Sequence, residues 1–153
     1  MQRSRYNILQ RAMHREEAPE RYEQLIAFLG THLPQPVDRQ DEMDGSVRFT
    51  GGDPPQVVVI LTQSSVAIAE FTGEWETPLT FTAKPRRVGT VNWRRLSENA
   101  LFNAVSALIK GAREARLASF QTCQYCEQRT APEWLHQAGV CQACADHHSG
   151  SIH

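Results

Sequence analysis

The chain has 153 residues, enough for one ordinary domain with or without a small appended module. Its hydrophobic content of 41% and charged content of 22% argue against long disordered regions, and no apolar run approaches the roughly eighteen residues of a membrane span. The net charge of −1 hides an asymmetry, because residues 1–83 carry −5, residues 84–120 carry +6 and residues 121–153 carry −2. Since the N-terminal sequence lacks the apolar stretch of a signal peptide, we expect a cytoplasmic protein with no membrane partner.

Two helices are predicted in the first thirty residues, from Arg3 to about His14 and from Pro19 to Leu29. Pro19 suits the first turn of a helix, where its missing N–H costs nothing, and Gly30 suits the end of one. Four apolar residues of the second helix recur at the spacing of one helical face: Tyr22, Leu25, Ile26 and Leu29. We therefore expect the second helix to pack on a core.

The apolar period changes to two after a loop predicted at residues 33–45, where two prolines and four acids break the pattern. Apolar residues alternate in SVRFT, and the runs QVVVILT and SVAIAEFT flank a short Gln63-Ser64-Ser65 turn that predicts a hairpin. QVVVILT is the most continuously apolar run and should be a central strand. GEWETPLTFTAK and RRVGTVNW complete an antiparallel meander of four or five strands. Trp75 and Trp93, near strand ends, are expected to cover the core.

The longest helix is predicted to start at Asn92 or Ser97 and to end near Ser119. Its apolar face is Leu101, Ala104, Val105, Leu108, Ala112 and Ala115. This face should cover the sheet. Gly111 interrupts the helix, which suggests a close approach to another backbone.

All four cysteines of the chain stand in two C-x2-C pairs, Cys123 with Cys126 and Cys141 with Cys144, separated by fourteen residues. Two such pairs can place four thiolates around one tetrahedral ion, and zinc is the ion that this geometry and ligand set favour. A reducing cytoplasm favours metal over disulfides. Because the protein then supplies every ligand, one zinc ion is predicted to be structural rather than catalytic. The segment has too few apolar residues to fold by burial alone, so it needs the metal.

The C-terminal segment resembles the zinc-ribbon and treble-clef family of small zinc modules over about residues 121–150. Cys123-Gln-Tyr-Cys126 looks like a first knuckle, the stretch from Arg129 to Gly139 like an intervening hairpin or loop, and Val140-Cys141-Gln-Ala-Cys144 like a second pair that leads into a helical turn. The helical turn is the treble-clef feature, although neither pair has the Cys-Pro-x-Cys-Gly sequence of many such knuckles. The resemblance implies zinc binding and contacts with nucleic acid or protein, and no particular activity.

Other uses of the cysteines fit the sequence less well. A dithiol oxidoreductase needs only one exposed pair, and an iron–sulfur protein more often has closely clustered ligands. A zinc deaminase is excluded because Thr122 and Val140, rather than proline, precede the pairs. A nuclease of the His-Asn-His kind has only His136 as a candidate between the pairs. No nucleophile elbow, P-loop or dinucleotide fingerprint appears, so no catalytic residue is predicted.

These patterns together predict an α+β protein in which an antiparallel meander packs against the long helix, with N-terminal helices and a four-cysteine zinc module. The domain is expected at residues 1–120 and the module at residues 121–153.

We predict a non-enzymatic interaction or adaptor protein with a protein partner. The alternative is a DNA- or RNA-binding protein that uses the basic segment 84–116 for salt-sensitive phosphate contacts. Its candidate contact residues are Lys84, Arg86, Arg87, Arg94, Arg95, Lys110, Arg113 and Arg116. A third interpretation of these charges is a solvated helix face that balances the acidic first half.

Overall fold

An antiparallel sheet is the centre of the fold. The computed structural model describes residues 19–135 and 139–150, with the backbone alone at 148–150, so the helix predicted from Arg3 to His14 lies outside the described residues. The strands are β1 Val37–Asp41, β2 Val47–Gly51, β3 Val57–Leu61, β4 Val66–Glu70, β5 Gly73–Thr77, β6 Thr80–Ala83, β7 Arg86–Val91, β8 Gln121–Thr122 and β9 Arg129–Thr130. The helices are α1 at residues 19–32, α2 Glu98–Ala118 and α3 Gln142–Gly150, with a 3-10 turn at Pro132–Trp134.

Five strands form the main sheet in the order β1-β2-β3-β4-β7, and all neighbours are antiparallel. The apolar run of β3 takes the central place that the sequence predicts, with Val57, Val59 and Leu61 fully buried. The hairpin predicted at residues 63–65 is confirmed, since the Thr62 N–H donates to the Ser65 carbonyl at 2.9 Å. The predicted α+β class, a sheet covered by a long helix, is therefore confirmed.

Two segments differ from the sequence-based expectation. The predicted loop at residues 33–45 contains the edge strand β1, whose last four residues are exposed. Because β1 is held by main-chain bonds to β2 rather than by burial, no apolar alternation marks it in the sequence. The segment GEWETPLTFTAK does not continue the meander; it folds on itself as the separate hairpin β5–β6.

Helix α2 has the bounds that its sequence predicts. The Ser97 hydroxyl accepts the Ala100 N–H at 3.3 Å as the N-cap, and Ser119 closes the C-terminal end. The buried stripe of the helix is Leu101, Val105, Ile109, Ala112 and Arg116. This stripe is rotated from the predicted face. Ile109, which the prediction left out, is buried, whereas the predicted residues Ala104, Leu108 and Ala115 are only half-buried.

One hydrophobic core lies between the helices and the sheet. Buried residues of α1 and α2 meet the inward residues of β2, β3 and β4: Leu25, Leu29, Leu101, Val105, Phe49, Val59 and Ile68 are among them. Trp93 is 1% exposed and donates its indole N–H to the Thr62 carbonyl, as expected of a residue that covers the core. Trp75 is 43% exposed instead, since it belongs to the β5–β6 hairpin.

The two glycines that shaped the helix predictions behave differently from expectation. Helix α1 continues through Gly30 to residue 32 and is followed by Leu33 and Pro34. A methyl group added at Gly111 would meet nothing within 4 Å, so this glycine serves no close approach to another backbone. None of the described helices has the length and apolarity needed to cross a membrane.

Candidate metal centre

The four cysteine sulfurs converge in the C-terminal segment. The Sγ atoms of Cys123, Cys126, Cys141 and Cys144 all lie within 4.8 Å of one another, and none of the four residues forms a disulfide. The Sγ atoms of Cys126 and Cys141 are 3.7 Å apart. A tetrahedral ion with metal–sulfur bonds of about 2.3 Å holds its ligands about 3.8 Å apart, so the donor set fits one such ion.

The first pair lies in a tight turn between β8 and β9. The Cys123 N–H donates to the Gln128 carbonyl at 3.0 Å, and the Glu127 N–H donates to the Cys123 carbonyl at 3.0 Å. Glu127 has a φ of +61°, the left-handed conformation that lets the chain reverse just after Cys126. The turn therefore brings both sulfurs of the pair to one side of the hairpin.

The second pair lies at the start of α3. Cys141 pairs with Leu135 in an isolated antiparallel bridge, and its carbonyl accepts the Ala145 N–H at 2.9 Å in the first helical turn. Gly139 precedes it at a φ of +72° and accepts the Gln124 N–H at 3.1 Å, which ties the second pair to the first knuckle. The first pair thus lies in a turn between two short strands, and the second pair lies at the start of a helix.

Backbone amides stabilise the thiolate form of Cys123. The amide of Cys126, and then that of Cys141, lower the pKa of the Cys123 thiol to about 6. The Cys141 N–H lies 3.3 Å from this sulfur, and Cys123 as a residue is 1% exposed. A thiolate held by two amides next to three further sulfurs is suited to bind a thiophilic cation.

The neighbouring thiols resist a second negative charge. Interaction with the Cys141 sulfur, followed by desolvation, raises the pKa of Cys144 to about 12. At Cys126 the Gln128 amide lowers the pKa, but desolvation and the sulfurs of Cys123 and Cys141 outweigh it, so the pKa is raised. Crowded thiols of this kind lose their protons readily only when a cation shares the site.

A buried ion pair joins this segment to α2. The Arg116 guanidinium forms a two-pronged interaction with the Glu133 carboxylate, with Nη1 and Oε2 3.0 Å apart, and the two side chains are only 2% and 6% exposed. Its Nε donates to the Pro55 carbonyl at 3.0 Å, and its guanidinium carbon lies 5.2 Å from the centre of the Phe71 ring. Because Glu133 stands between the cysteine pairs, the ion pair connects the candidate metal centre to the sheet.

Three further contacts hold the segment on the rest of the protein. The Trp75 indole N–H donates to the Glu133 carbonyl at 2.7 Å, and the Trp75 and Trp134 rings meet edge to face at 6.0 Å. Arg129 Nη2 donates to the Leu117 carbonyl at 2.9 Å. We call the set of contacts around Arg116, Glu133 and Trp75 the Arg116 latch.

The residues of the basic segment do not form one patch. Arg94 and Arg95 precede α2, whereas Arg113 lies near its other end, and a helix of this length spans about 30 Å. Arg86 is paired with the buried Glu70. The remaining cations are arranged as follows: Lys84 beside Glu74 and Glu76, Arg87 exposed on β7, and Lys110 4.0 Å from Glu114.

Arg116 is the exception among these cations, because the latch buries it and leaves it inaccessible to a phosphate. The spacing of the α2 stripe carries the signal for this burial, since Arg116 follows Ala112 by four residues. Nucleic-acid binding through the other basic residues stays a prediction.

Sequence reasoning missed Glu133 and Trp134 as functional residues. Both lie between the cysteine pairs, and no local pattern distinguishes them from exposed loop residues. Their role becomes visible only when the fold brings them to Arg116 and Trp75.

No protein-family model, no curated protein and no solved structure matches this chain.

Proposed function

We propose that the chain is a non-enzymatic interaction protein whose C-terminal segment is organised by one structural zinc ion. The observation that carries the proposal is the convergence of four cysteine sulfurs from two short elements to within 4.8 Å of one another. Bound zinc supplies four bonds that cross-link the β8–β9 turn to the start of α3. With all four positions taken by protein sulfur, the site offers no place for a substrate or an activated water.

The arrangement supports a treble-clef form of the module. A knuckle on a hairpin contributes the first pair, and the start of a helix contributes the second, whereas a ribbon takes its second pair from another knuckle. The distances among all four Sγ atoms, within 4.8 Å, support a single ion over an iron–sulfur cluster, in which the thiolates bind two or more irons and lie further apart across the cluster.

Aromatic side chains near the module support the interaction role. Trp75 and Trp134 stack edge to face where the β5–β6 hairpin meets the module, yet they remain 43% and 46% exposed. Tyr125, within the first knuckle, is 59% exposed. Exposed aromatic residues on a rigid support are characteristic anchors of protein interfaces.

Metal analysis tests the structural site. Protein purified without added metal should contain about one equivalent of zinc by mass spectrometry, and its thiols should react with a disulfide reagent only after chelation. The Cys126→Ser variant should lose most of the metal, whereas His147→Ala should keep it. Less than about half an equivalent of zinc with four freely reactive thiols, or iron in place of zinc, contradicts the site as proposed.

Affinity purification tests the interaction role. Tagged full-length protein should recover at least one other chain in stoichiometric amount, and the Trp134→Ser variant should recover clearly less of it, while Met43→Ser, a change of another exposed apolar residue, should have no effect. Recovery of no stoichiometric chain by the zinc-loaded protein contradicts the role. Turnover of a small molecule by the purified chain would contradict the non-enzymatic part.

A further inference from the structure

Helix α2 extends beyond the end of its neighbour α1. The two helices start side by side, where Arg21 Nη1 donates to the Leu96 carbonyl at 2.6 Å, and they still touch at Phe28 and Phe102, whose ring centres are 4.8 Å apart. Helix α1 then ends at residue 32, whereas α2 runs on to Ala118. Among the described residues, the later turns of α2 therefore border a crevice rather than a second helix.

The crevice, which we call the α1–α2 groove, has a volume of about 660 Å³. Leu33 and Pro34 form one wall, and Ile109 and Leu117 of α2 contribute the apolar part of the other. This size lies within the range of ligand and peptide sites.

Two cations of α2 stand on the rim of the groove. Lys110 and Arg113 are both exposed and lie one helical turn apart. Arg113 uses Nε to reach the Gln56 side chain at 3.2 Å, and its guanidinium has further N–H donors for a ligand. Glu114 is the only acid in the lining, and it is 4.0 Å from Lys110. The rim is thus complementary to an acidic ligand.

The lining favours a peptide over nucleic acid. Bases are usually held by stacking on tryptophan, tyrosine or phenylalanine, and none of these is among the described residues that line the groove. The aliphatic part of the lining instead suits the apolar side chains of a docked peptide, as in grooves that bind amphipathic segments.

We propose that the α1–α2 groove docks an acidic peptide segment of a partner protein. Apolar side chains of the segment lie against Pro34 and Leu117, which are partly exposed, and its carboxylates face Lys110 and Arg113. This inference names the partner chemistry of the proposed interaction role and rests on that role. The groove is distinct from the four cysteines, because no cysteine is among the described residues that line it.

The test is selection of peptides from a random twelve-residue display library on the zinc-loaded full chain. Enriched peptides should carry several aspartates or glutamates together with aliphatic residues. By fluorescence anisotropy, their affinity should fall at least tenfold in the Lys110→Glu/Arg113→Glu variant, and it should fall when salt is raised from 50 to 200 mM.

Matched variants distinguish a loss of peptide binding at the groove from an effect of net charge and from misfolding. Arg87→Glu/Arg95→Glu makes the same change of net charge at two exposed positions outside the groove and should bind the peptides normally. Ser106→Trp fills the groove from the exposed side of α2 and should abolish binding, whereas Asn103→Trp, one turn earlier, should not. Thermal unfolding monitored by circular dichroism checks that each variant is folded.

Three outcomes overturn the proposal: no enrichment, enrichment of basic peptides, or equal loss of binding in both charge-reversal variants. Binding of a 20-base-pair DNA probe that is lost with Lys110→Glu/Arg113→Glu, without any peptide enrichment, overturns it in favour of nucleic acid. If the groove binds no acidic peptide but the chain still recovers a stoichiometric partner that is lost with Trp134→Ser, the interaction role stands. In that case only peptide docking in the groove is rejected.

Discussion

A single buried cation decides how the C-terminal segment is attached. Arg116 lies on the buried stripe of α2, and its positive charge is paired with the Glu133 carboxylate. The Phe71 and Phe120 rings pack against its guanidinium group. A buried ion pair adds little stability compared with an apolar replacement, but removal of one partner is costly because it strands the other charge. The latch therefore makes α2 and the cysteine-containing segment depend on each other.

Glu133→Ala should lower the free energy of unfolding by about 3–5 kcal/mol, because it leaves the Arg116 guanidinium buried without a counter-charge. Denaturant unfolding of the zinc-loaded protein measures the change. Glu114→Ala, which removes an acid that is 67% exposed, should change stability by less than about 0.5 kcal/mol.

The double variant Arg116→Met/Glu133→Leu should recover most of the stability lost in Glu133→Ala, because apolar side chains of similar size need no counter-charge. A double variant that is as unstable as the single one would show that the latch acts through something other than charge pairing.

The depressed pKa of Cys123 predicts how many protons the metal displaces. Above about pH 6 this sulfur is already a thiolate, and below it the sulfur must lose a proton before it can bind. Binding of cadmium, a thiophilic probe ion, should therefore release roughly 0.7 more protons per ion at pH 5.5 than at pH 7.5 from this residue. Calorimetric titration in buffers of different ionisation enthalpy measures the number. Equal release at the two pH values would contradict the assignment of the low pKa to Cys123.

At the scale of elements, glycine has opposite roles in α2 and in β7. Gly111 lies inside α2 with open space where a methyl group would be, so Gly111→Ala should stabilise the protein by about 1 kcal/mol. Gly89 of β7 allows α2 to approach the sheet, and a methyl group there would lie 2.7 Å from Leu108 Cδ2. Gly89→Ala should therefore destabilise by about 1–3 kcal/mol. Thermal unfolding of the two variants should shift the melting temperature in opposite directions, and a shift in the same direction would contradict the packing.

Elements defined by local chemistry were predictable from the sequence, and elements defined by their partners were not. The apolar run of β3 and the serine cap of α2 carry their own signals. Strand β1 is stabilised by pairing with β2, which no local periodicity records. The strands in GEWETPLTFTAK were predicted, but not that β5 and β6 pair with each other outside the main sheet. The spacing of the cysteine pairs predicted the cluster, because a shared ion restricts its ligands to one place. Arg116 was assigned to a polar face because charge was given more weight than position on the helix.

At the scale of the whole molecule, removal of the metal should affect more than the module. Chelation frees the two cysteine pairs, and Glu133 then has no fixed position opposite Arg116. We expect the melting temperature to fall by several degrees and the tryptophan emission to shift to longer wavelength, because Trp75 and Trp134 lose their mutual contact.

Fluorescence of the Trp75→Phe/Trp134→Phe variant provides the control for metal removal. It retains only Trp93, which is buried in the core beside Thr62, and its emission should stay unchanged on chelation. A red shift in this variant would show that the core itself opens, and an unchanged spectrum in the original protein would show that the latch survives without metal.

The position of Glu133 along the chain also has a consequence for synthesis. Helix α2 is complete at Ala118, but the counter-charge of its buried arginine is made fifteen residues later, and the second cysteine pair later still. During synthesis, α2 is therefore complete before its buried arginine has a counter-charge. Until Glu133 is made, the helix cannot pack fully against the sheet. Final docking of α2 therefore waits for Glu133, so a segment made later closes the structure of the segments made before it.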